Sequence, residues 1–327
     1  MAVLVTGSSG HLGEALVRSL RAAGQEVIGL DVLASPYTHV VGSVSDRACI
    51  ESCMDGIDMV VHAATLHKPH IATHTPRQFV ETNITGTLAV LEAAVRSAVR
   101  AFVFTSTTSA FGAAMRPAAG LPAVWVTEDL RPVPRNIYGV TKVAAEDLCE
   151  LYHKHHGLAC VVLRTSRFFP EDDDDPSTRR DYQQDNAKAN ELLFRRVDLE
   201  DVVQAHLCAL EGAQRIGFGR FIISATTPFR PEDVSILRQD APSVLLRRAP
   251  AYESSYRERG WEMFPGIDRV YDNRRAREEL GWRPRYDFAG LLAKMQAGED
   301  PWSPLSREVG CKGYHAEPFR GGPYPVD

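Results

Sequence analysis

Two patterns of apolar positions alternate along the first half of the chain. Short continuous runs at Ala2–Val5, Glu26–Leu30, Asp58–His62, Ala101–Thr105 and Ala159–Leu163 are rich in β-branched residues and too short for helices. Between them, apolar residues recur every three or four positions. Leu12, Leu16, Leu20 and Ala23 precede Gly24, which suits a left-handed helix cap. Phe79, Leu88, Leu91 and Val95 suit one buried side of a helix running to about Ser97. Its start is marked by Thr75-Pro76-Arg77-Gln78: a capping threonine, proline in the first turn and glutamine three residues on. A second long helix is predicted from about Ile137 to His153. Apolar strands between helices predict buried parallel strands joined in βαβ units.

Beyond Arg164 the alternation weakens. Pro170–Pro176 reads as an acidic loop, Val197–Leu210 as a helix, Arg220–Ser224 as a strand and Asn273–Leu280 as an Arg/Glu-rich helix. The stretch 298–327 is rich in Pro and Gly, has no periodicity, and is expected to be an extended or partly disordered arm. The pattern predicts an α/β fold, a doubly wound parallel sheet over 1–165 with 197–225 returning to it. Residues 166–196 and 226–297 form a smaller C-terminal α/β substrate lobe.

Composition narrows the function classes. With 327 residues, 44 % of them hydrophobic, the chain can bury one large domain and a lobe. A net charge of −5 without a basic stripe gives no pull toward nucleic acid. No apolar run approaches the roughly 18 residues of a membrane span, and the N-terminus enters a strand at once, without a signal peptide. The six cysteines form no CxxC pair and are expected to be reduced, in a cytoplasmic protein.

Candidate chemistry begins at Thr6-Gly7-Ser8-Ser9-Gly10-His11-Leu12-Gly13, between a strand and a helix. Gly7 permits the tight turn, Gly10 the approach of a pyrophosphate, and Gly13 close packing of helix on sheet. The amides of Ser9, His11 and Leu12 and the positive helix end face the phosphates. Asp31 ends the second strand eighteen residues past Gly13. A carboxylate there accepts from both adenosine ribose hydroxyls and repels a 2′-phosphate, favouring NAD over NADP. Tyr138 and Lys142 lie four apart, on one helix face. A neighbouring ammonium lowers a phenol's pKa, so Tyr138 can take a proton from a substrate hydroxyl while hydride leaves the same carbon. Five hydroxyl residues, Thr105 to Ser109, end a predicted parallel strand where open α/β sheets bind ligands.

Together these motifs resemble the extended short-chain dehydrogenase/reductase superfamily, the group of nucleotide-sugar epimerases and dehydratases. The matching pieces are Thr6–Gly13, Asp31, His62–Ala64, Asn83–Thr87, Phe104–Gly112, Tyr138–Lys142, Leu163–Arg164 and Tyr271–Phe288. The resemblance implies a Rossmann-type fold over about residues 1–290, NAD as cofactor, and Tyr138, Lys142 and Thr107 as catalytic residues. It places Ser43 and Val44 by the adenine, and His62, Ala63, Ala64, Asn83, Thr105 and Thr165 along the cofactor. Thr107, Thr108, Arg167 and Arg196 are the candidate substrate residues, and Arg179-Arg180 and Arg195-Arg196 either pair with the acidic loop or bind a phosphate or carboxylate. It also implies a homodimer through the helices at Pro76–Ser97 and Ile137–His153. Departures are informative. The Asp-Glu pair with which dehydratases of the family eliminate water is Thr108-Ser109 here, so 4,6-dehydration is not expected. The adenine-side aspartate is Ser43, the asparagine by the diphosphate is Arg167, and the diphosphate-clamping arginine has no counterpart around Phe264.

His62, His67, His70 and His74 match no metal-ligand motif and border the expected cleft, so no metal is assigned. His153, His155 and His156 suit a helix C-terminus. Glu171–Asp175 is either a solvated loop or a screen that attracts a cationic substrate such as an amino sugar. The expected activity is NAD-dependent epimerisation of a sugar or nucleotide-sugar-like secondary alcohol. Net dehydrogenation or ketone reduction is the alternative, and a non-catalytic NAD sensor or scaffold a third reading.

Overall fold

The structure is a computed structural model and describes residues 1–173 and 175–313. Each apolar run forms a strand of one sheet. The strands are β1 (Ala2–Thr6), β2 (Glu26–Asp31), β3 (Val40–Val41), β4 (Met59–His62) and β5 (Ala101–Thr107). A short strand β6 (Val124–Val126) lies outside this sheet, and β7 (Cys160–Thr165) and β8 (Phe218–Ile223) complete it. The order is β3-β2-β1-β4-β5-β7-β8, parallel throughout. The order reverses between β1 and β4, opening a crevice at the carboxyl ends of those strands.

Helices cover both faces. On one face α1 (His11–Ala22) buries Leu12, Leu16 and Leu20 against Val3, Val5 and Val61. The opposite face takes α2 (Arg47–Cys53), followed by α3 (Pro76–Val80), α4 (Gly86–Arg96) and α5 (Ile137–His156). The single helix expected from Thr75 to Ser97 is interrupted. Thr75 and Gln78 do close a capping box, but Glu81–Thr85 forms a π-helical turn between α3 and α4. Asn136 caps α5 through the Gly139 amide, and Gly157, at φ +68°, ends it three residues past the expected His153.

Two short helices follow β7, α6 (Pro176–Asp181) and α7 (Gln184–Leu192), and then α8 (Leu199–Ile216) joins α1 on the first face. A third core gathers Leu192, Leu193, Phe229, Val244, Leu245, Tyr256, Phe288 and Leu291. Beside it β6 pairs in parallel with β9 (Arg269–Tyr271). The expected Asn273–Leu280 helix is there as a short turn whose last five residues are π-helical.

The arm is a correction within its described part. Pro304–Val309 is a helix capped by Ser303, and Leu305 and Val309 join the apolar core of the α1/α8 face. Six residues of helix are too few to show a period in the sequence. After it the chain runs as a strap to the N-terminal end of α1. Lys312 Nζ donates to Glu14 Oε2 at 2.5 Å, and the Lys312 and Gly313 amides donate to Glu171 Oε1 at 3.0 and 3.3 Å. Residues 314–327 of the expected arm lie outside the described residues. No helix among the described residues is long and apolar enough to cross a membrane.

Candidate active site

A cleft of about 1380 Å3 runs along the carboxyl ends of the strands and on between the sheet and the β6/β9 pair. At one end the turn after β1 needs its glycines. Gly7 sits at φ +76°, where a Cβ would come within 2.8 Å of the Ala64 amide nitrogen. A Cβ on Gly13 would lie 1.9 Å from the Gly7 carbonyl oxygen, so α1 can dock only without it. Gly10 is the N-cap of α1, and no side chain caps that helix. Its first amides and positive end are therefore available to an anion. Ser9, His11 and Leu12 line this end of the cleft, as do Ala63 and Ala64. Asp31 closes it from the end of β2, its Oδ2 accepting from the Ser9 amide at 3.0 Å and its Oδ1 from the Leu33 amide at 2.9 Å. Ser43 and Val44 line the wall beyond. A bare-backbone cradle, an uncapped helix and a carboxylate at the neighbouring strand end fit a dinucleotide's pyrophosphate and ribose.

The middle of the cleft holds the chemistry. Thr105, Thr107 and Thr108 follow one another at the end of β5, Thr165 ends β7 beside them, and Tyr138 comes from the first turn of α5. Burial pushes the Tyr138 phenol up to about 12, and the Thr107 hydroxyl pulls it back. Lys142 lies one turn on and is almost fully buried, with Nζ donating to the Thr105 carbonyl at 2.6 Å over the Phe104 ring. Burial drags this lysine down to about 7, with the nearby Glu146 working the other way. The ammonium thus lies beneath the cleft and, in this geometry, makes no hydrogen bond to Tyr138.

Besides Lys142, three expected site residues do not line the cleft. His62 is a fully buried core residue, its Nδ1 2.7 Å from Thr6 Oγ1 and its Nε2 3.0 Å from Thr87 Oγ1. Burial, with Lys142 nearby, lowers its pKa to about 3, so it stays neutral. Asn83 projects from the π-helical turn and is spent on protein. Its Oδ1 accepts from the Leu66 amide at 2.8 Å, and its Nδ2 donates to the Leu66 carbonyl and to Thr141 Oγ1, both at 3.0 Å. Thr141 in turn donates to the Tyr138 carbonyl, so Asn83 ties the loop after β4 to the helix of the tyrosine. Arg196 is tied to Glu191 Oε2 at 2.7 Å and to the Phe169 carbonyl at 2.8 Å, and stays buried beneath the surface.

The acidic loop is half buried in its described part, and its two buried carboxylates are spent on protein cations. Glu171 is buried against His11 Nε2 at 2.6 Å. Asp173 is buried against Arg195 at 3.2 Å and Arg167 at 3.6 Å. Asp175 caps α6 through the Ser177 and Thr178 amides. Asp172 and Asp175 are exposed. Arg167 lines the cleft, already facing Asp173 and Glu191.

The structure adds cleft residues that carried no assigned role in the sequence. His67 stands with its ring 6.1 Å from that of Tyr138 and edge-on to Phe169 at 5.9 Å. Arg116, Arg135 and Arg269 line the end away from the glycine turn, and Lys312 lines the cofactor end. These come from five separate stretches, and no spacing in the sequence joins them.

Comparison with known proteins agrees with this geometry. A family model described as the NAD dependent epimerase/dehydratase family matches residues 3–222. UDP-glucose 4-epimerase of Rhizobium meliloti is 26 % identical over 93 % of this chain and 97 % of its own. dTDP-glucose 4,6-dehydratase of Streptomyces antibioticus is 28 % identical over 99 % of this chain and all of its own. Among solved structures, an NAD-bound short-chain dehydrogenase/reductase superfamily protein from Agrobacterium tumefaciens superposes with a TM-score of 0.64 at 24 % identity. That match covers 91 % of this chain and 96 % of the other. UDP-glucose 4-epimerase of Thermotoga maritima, solved with UDP-glucose, superposes at 0.61, also at 24 % identity, over 90 % and 98 %. The family match spans more than half of the chain and contains the glycine turn, Tyr138 and Lys142 alike, and so the chain belongs to the NAD-dependent epimerase/dehydratase family.

Proposed function

We propose that this enzyme epimerises a secondary alcohol of a sugar or sugar-nucleotide-like substrate, using Tyr138 as acid and base. The observation that carries the reading is the seat of Tyr138. Its phenol stands in the middle of the cleft with Thr107 beside it, on the path from the glycine turn to the substrate end. NAD, when bound, supplies a reversible hydride acceptor. Thr107 orients the substrate hydroxyl, its own Oγ1 already accepting from the Ser109 amide at 3.0 Å. Held near 12, Tyr138 rests as a phenol, ready to donate. To act as base it needs the Lys142 ammonium to turn from the Thr105 carbonyl toward it, which would favour the phenolate. The homologous epimerase supports the reading, and Thr108-Ser109 in place of an acid pair disfavours dehydration.

Net dehydrogenation or ketone reduction uses the same residues, and the fate of the cofactor separates the two. Mass spectrometry of the protein as purified should find NAD that survives gel filtration and turnover; release of NADH on addition of a sugar would instead assign a dehydrogenase. Tyr138→Phe should lower turnover by about 10² to 10⁴ and leave NAD binding intact. Full turnover by that variant would sink the catalytic assignment.

The same reading makes the protein a homodimer. Val80 of α3 and Val140 and Leu151 of α5 are 42 %, 48 % and 42 % exposed, apolar positions on the helices proposed to meet a second copy. Light scattering should return twice the chain mass. All six cysteines are unpaired, in keeping with a cytoplasmic site of action.

A further inference from the structure

Arg116 follows β5, Arg135 precedes the N-cap of α5, and Arg269 opens β9. All three line the same end of the cleft. Arg269 is the fixed member. Its Nη1 donates to both oxygens of Asp268 at 2.8 and 2.9 Å, and its Nε to the Tyr271 hydroxyl at 3.3 Å. Tyr271 is braced in turn by Met115 Sδ at 3.3 Å. Arg116 and Arg135 are exposed to the cleft and make no ion pair among the described residues. Burial, and after it the like charges of Arg135 and Arg269, hold the Arg116 pKa down. Within ion-pair distance among the described residues, one carboxylate, Asp268, stands against three guanidiniums, with Glu191 acting on Arg269 from farther off.

The other arginines nearby differ. Arg195 and Arg196 are neutralised by Glu191 at 2.6 and 2.7 Å, and Arg167 faces Asp173. The excess positive charge of the substrate end thus sits at Arg116, Arg135 and Arg269. At the position where the family's diphosphate clamp was sought, Phe264 packs edge-on against Tyr182 at 4.8 Å. Arg135 immediately precedes the N-cap of the helix that carries Tyr138, and both residues line the cleft. An anion held there and the hydroxyl facing Tyr138 fit on one small molecule.

We propose that Arg116, Arg135 and Arg269 form a seat for an oxyanion carried by the substrate, a carboxylate or a phosphate, close to the carbon that reacts. This rests on the reading of Tyr138 as the reacting residue of a sugar-converting enzyme. Guanidinium forks match planar carboxylate and phosphate oxygens, and charge-assisted pairs are the stronger kind of hydrogen bond. A bound anion would also relieve the repulsion among the three cations.

The test reads binding alone. NAD-loaded Tyr138→Phe protein is titrated calorimetrically with D-glucuronate, D-glucose 6-phosphate, UDP-glucose and neutral D-glucose, at low and at raised salt. At least one anionic ligand should bind about tenfold or more tightly than glucose and weaken as salt rises. Adding Arg116→Gln or Arg135→Gln should cost that ligand about tenfold each and leave glucose and NAD affinity unchanged. Arg247→Gln, on an exposed helix elsewhere, should change nothing. Glucuronate, hexose phosphate and nucleotide diphosphate arms tell which group supplies the oxyanion. Equal binding of glucose and every anion, or full affinity in the Arg116→Gln, Arg135→Gln double variant, overturns the proposal. The outcomes are independent of turnover: an active Tyr138→Phe variant removes the catalytic reading and leaves the anion seat standing.

Discussion

Lys142 carries its charge in a place that disfavours it. Burial holds its pKa near 7, whereas in the unfolded chain it titrates near 10.5. Between those values the unfolded chain binds the extra proton, so this group makes stability rise with pH across that window. Below about 7 the ammonium is charged in both states and the full cost of burying it is present. Lys142→Met should therefore raise the melting temperature by on the order of 5 °C at pH 6.5. The gain should shrink toward pH 10, while turnover is lost at every pH. Scanning calorimetry across that range checks it, and a pH-independent difference would show that the lysine's charge is not the cause. Asn83 works the other way, as a residue whose polarity is fully used. In Asn83→Asp, an acceptor would face the Leu66 carbonyl that now receives a hydrogen bond. Urea unfolding should show a loss of about 2 kcal/mol, with kcat affected more than the affinity for NAD.

At the scale of elements, the parallel strands were legible because continuous β-branched runs leave few alternatives. In the glycine turn, the tight turn at Gly7 and the close packing at Gly13 were readable as well. Gly13→Ala tests the tightest of these contacts. With the Gly7 carbonyl 1.9 Å from the new carbon, α1 must move off the sheet. We expect a loss of about 3 kcal/mol in unfolding experiments, together with loss of NAD binding, because the same shift displaces the helix end that faces the phosphates. The π-helical turn at Glu81–Thr85 was not legible. The sequence there holds no proline, and its glycine, Gly86, comes just after the turn. The extra residue in the turn is selected by long-range partners, Leu66 and Thr141, to which Asn83 reaches. The acidic loop misled for a related reason. Four successive aspartates look solvated in sequence, yet Asp173 is drawn inward by arginines from β7's end and from the stretch after α7. Charge pattern alone does not show which charges are answered.

At the scale of the molecule, most of the lining of the cofactor half was readable, His62 and Asn83 excepted, and the substrate half was not. The first lies within one βαβ stretch and its neighbour strands, where spacing in sequence maps onto spacing in the fold. The second collects Arg116, Arg135 and Arg269 from loops and a short strand whose meeting depends on the packing of the lobe. A further consequence lies in the strap, which brings Lys312 to Glu14 and its amides to Glu171, over the first helix turn. Residues 14 and 312 are almost the whole chain apart, so this contact closes the chain into a ring at the door of the cofactor. Unlatching the ring and unloading the cofactor should then be one event with one rate. Hydrogen exchange at the Lys312 and Gly313 amides should slow as NAD binds, and the opening rate it reports should equal the rate at which NAD leaves. Lys312→Ala should quicken both by the same factor. The lifetime of the loaded enzyme would thus be written at Lys312 and Gly313, far in sequence from the residues that touch the substrate.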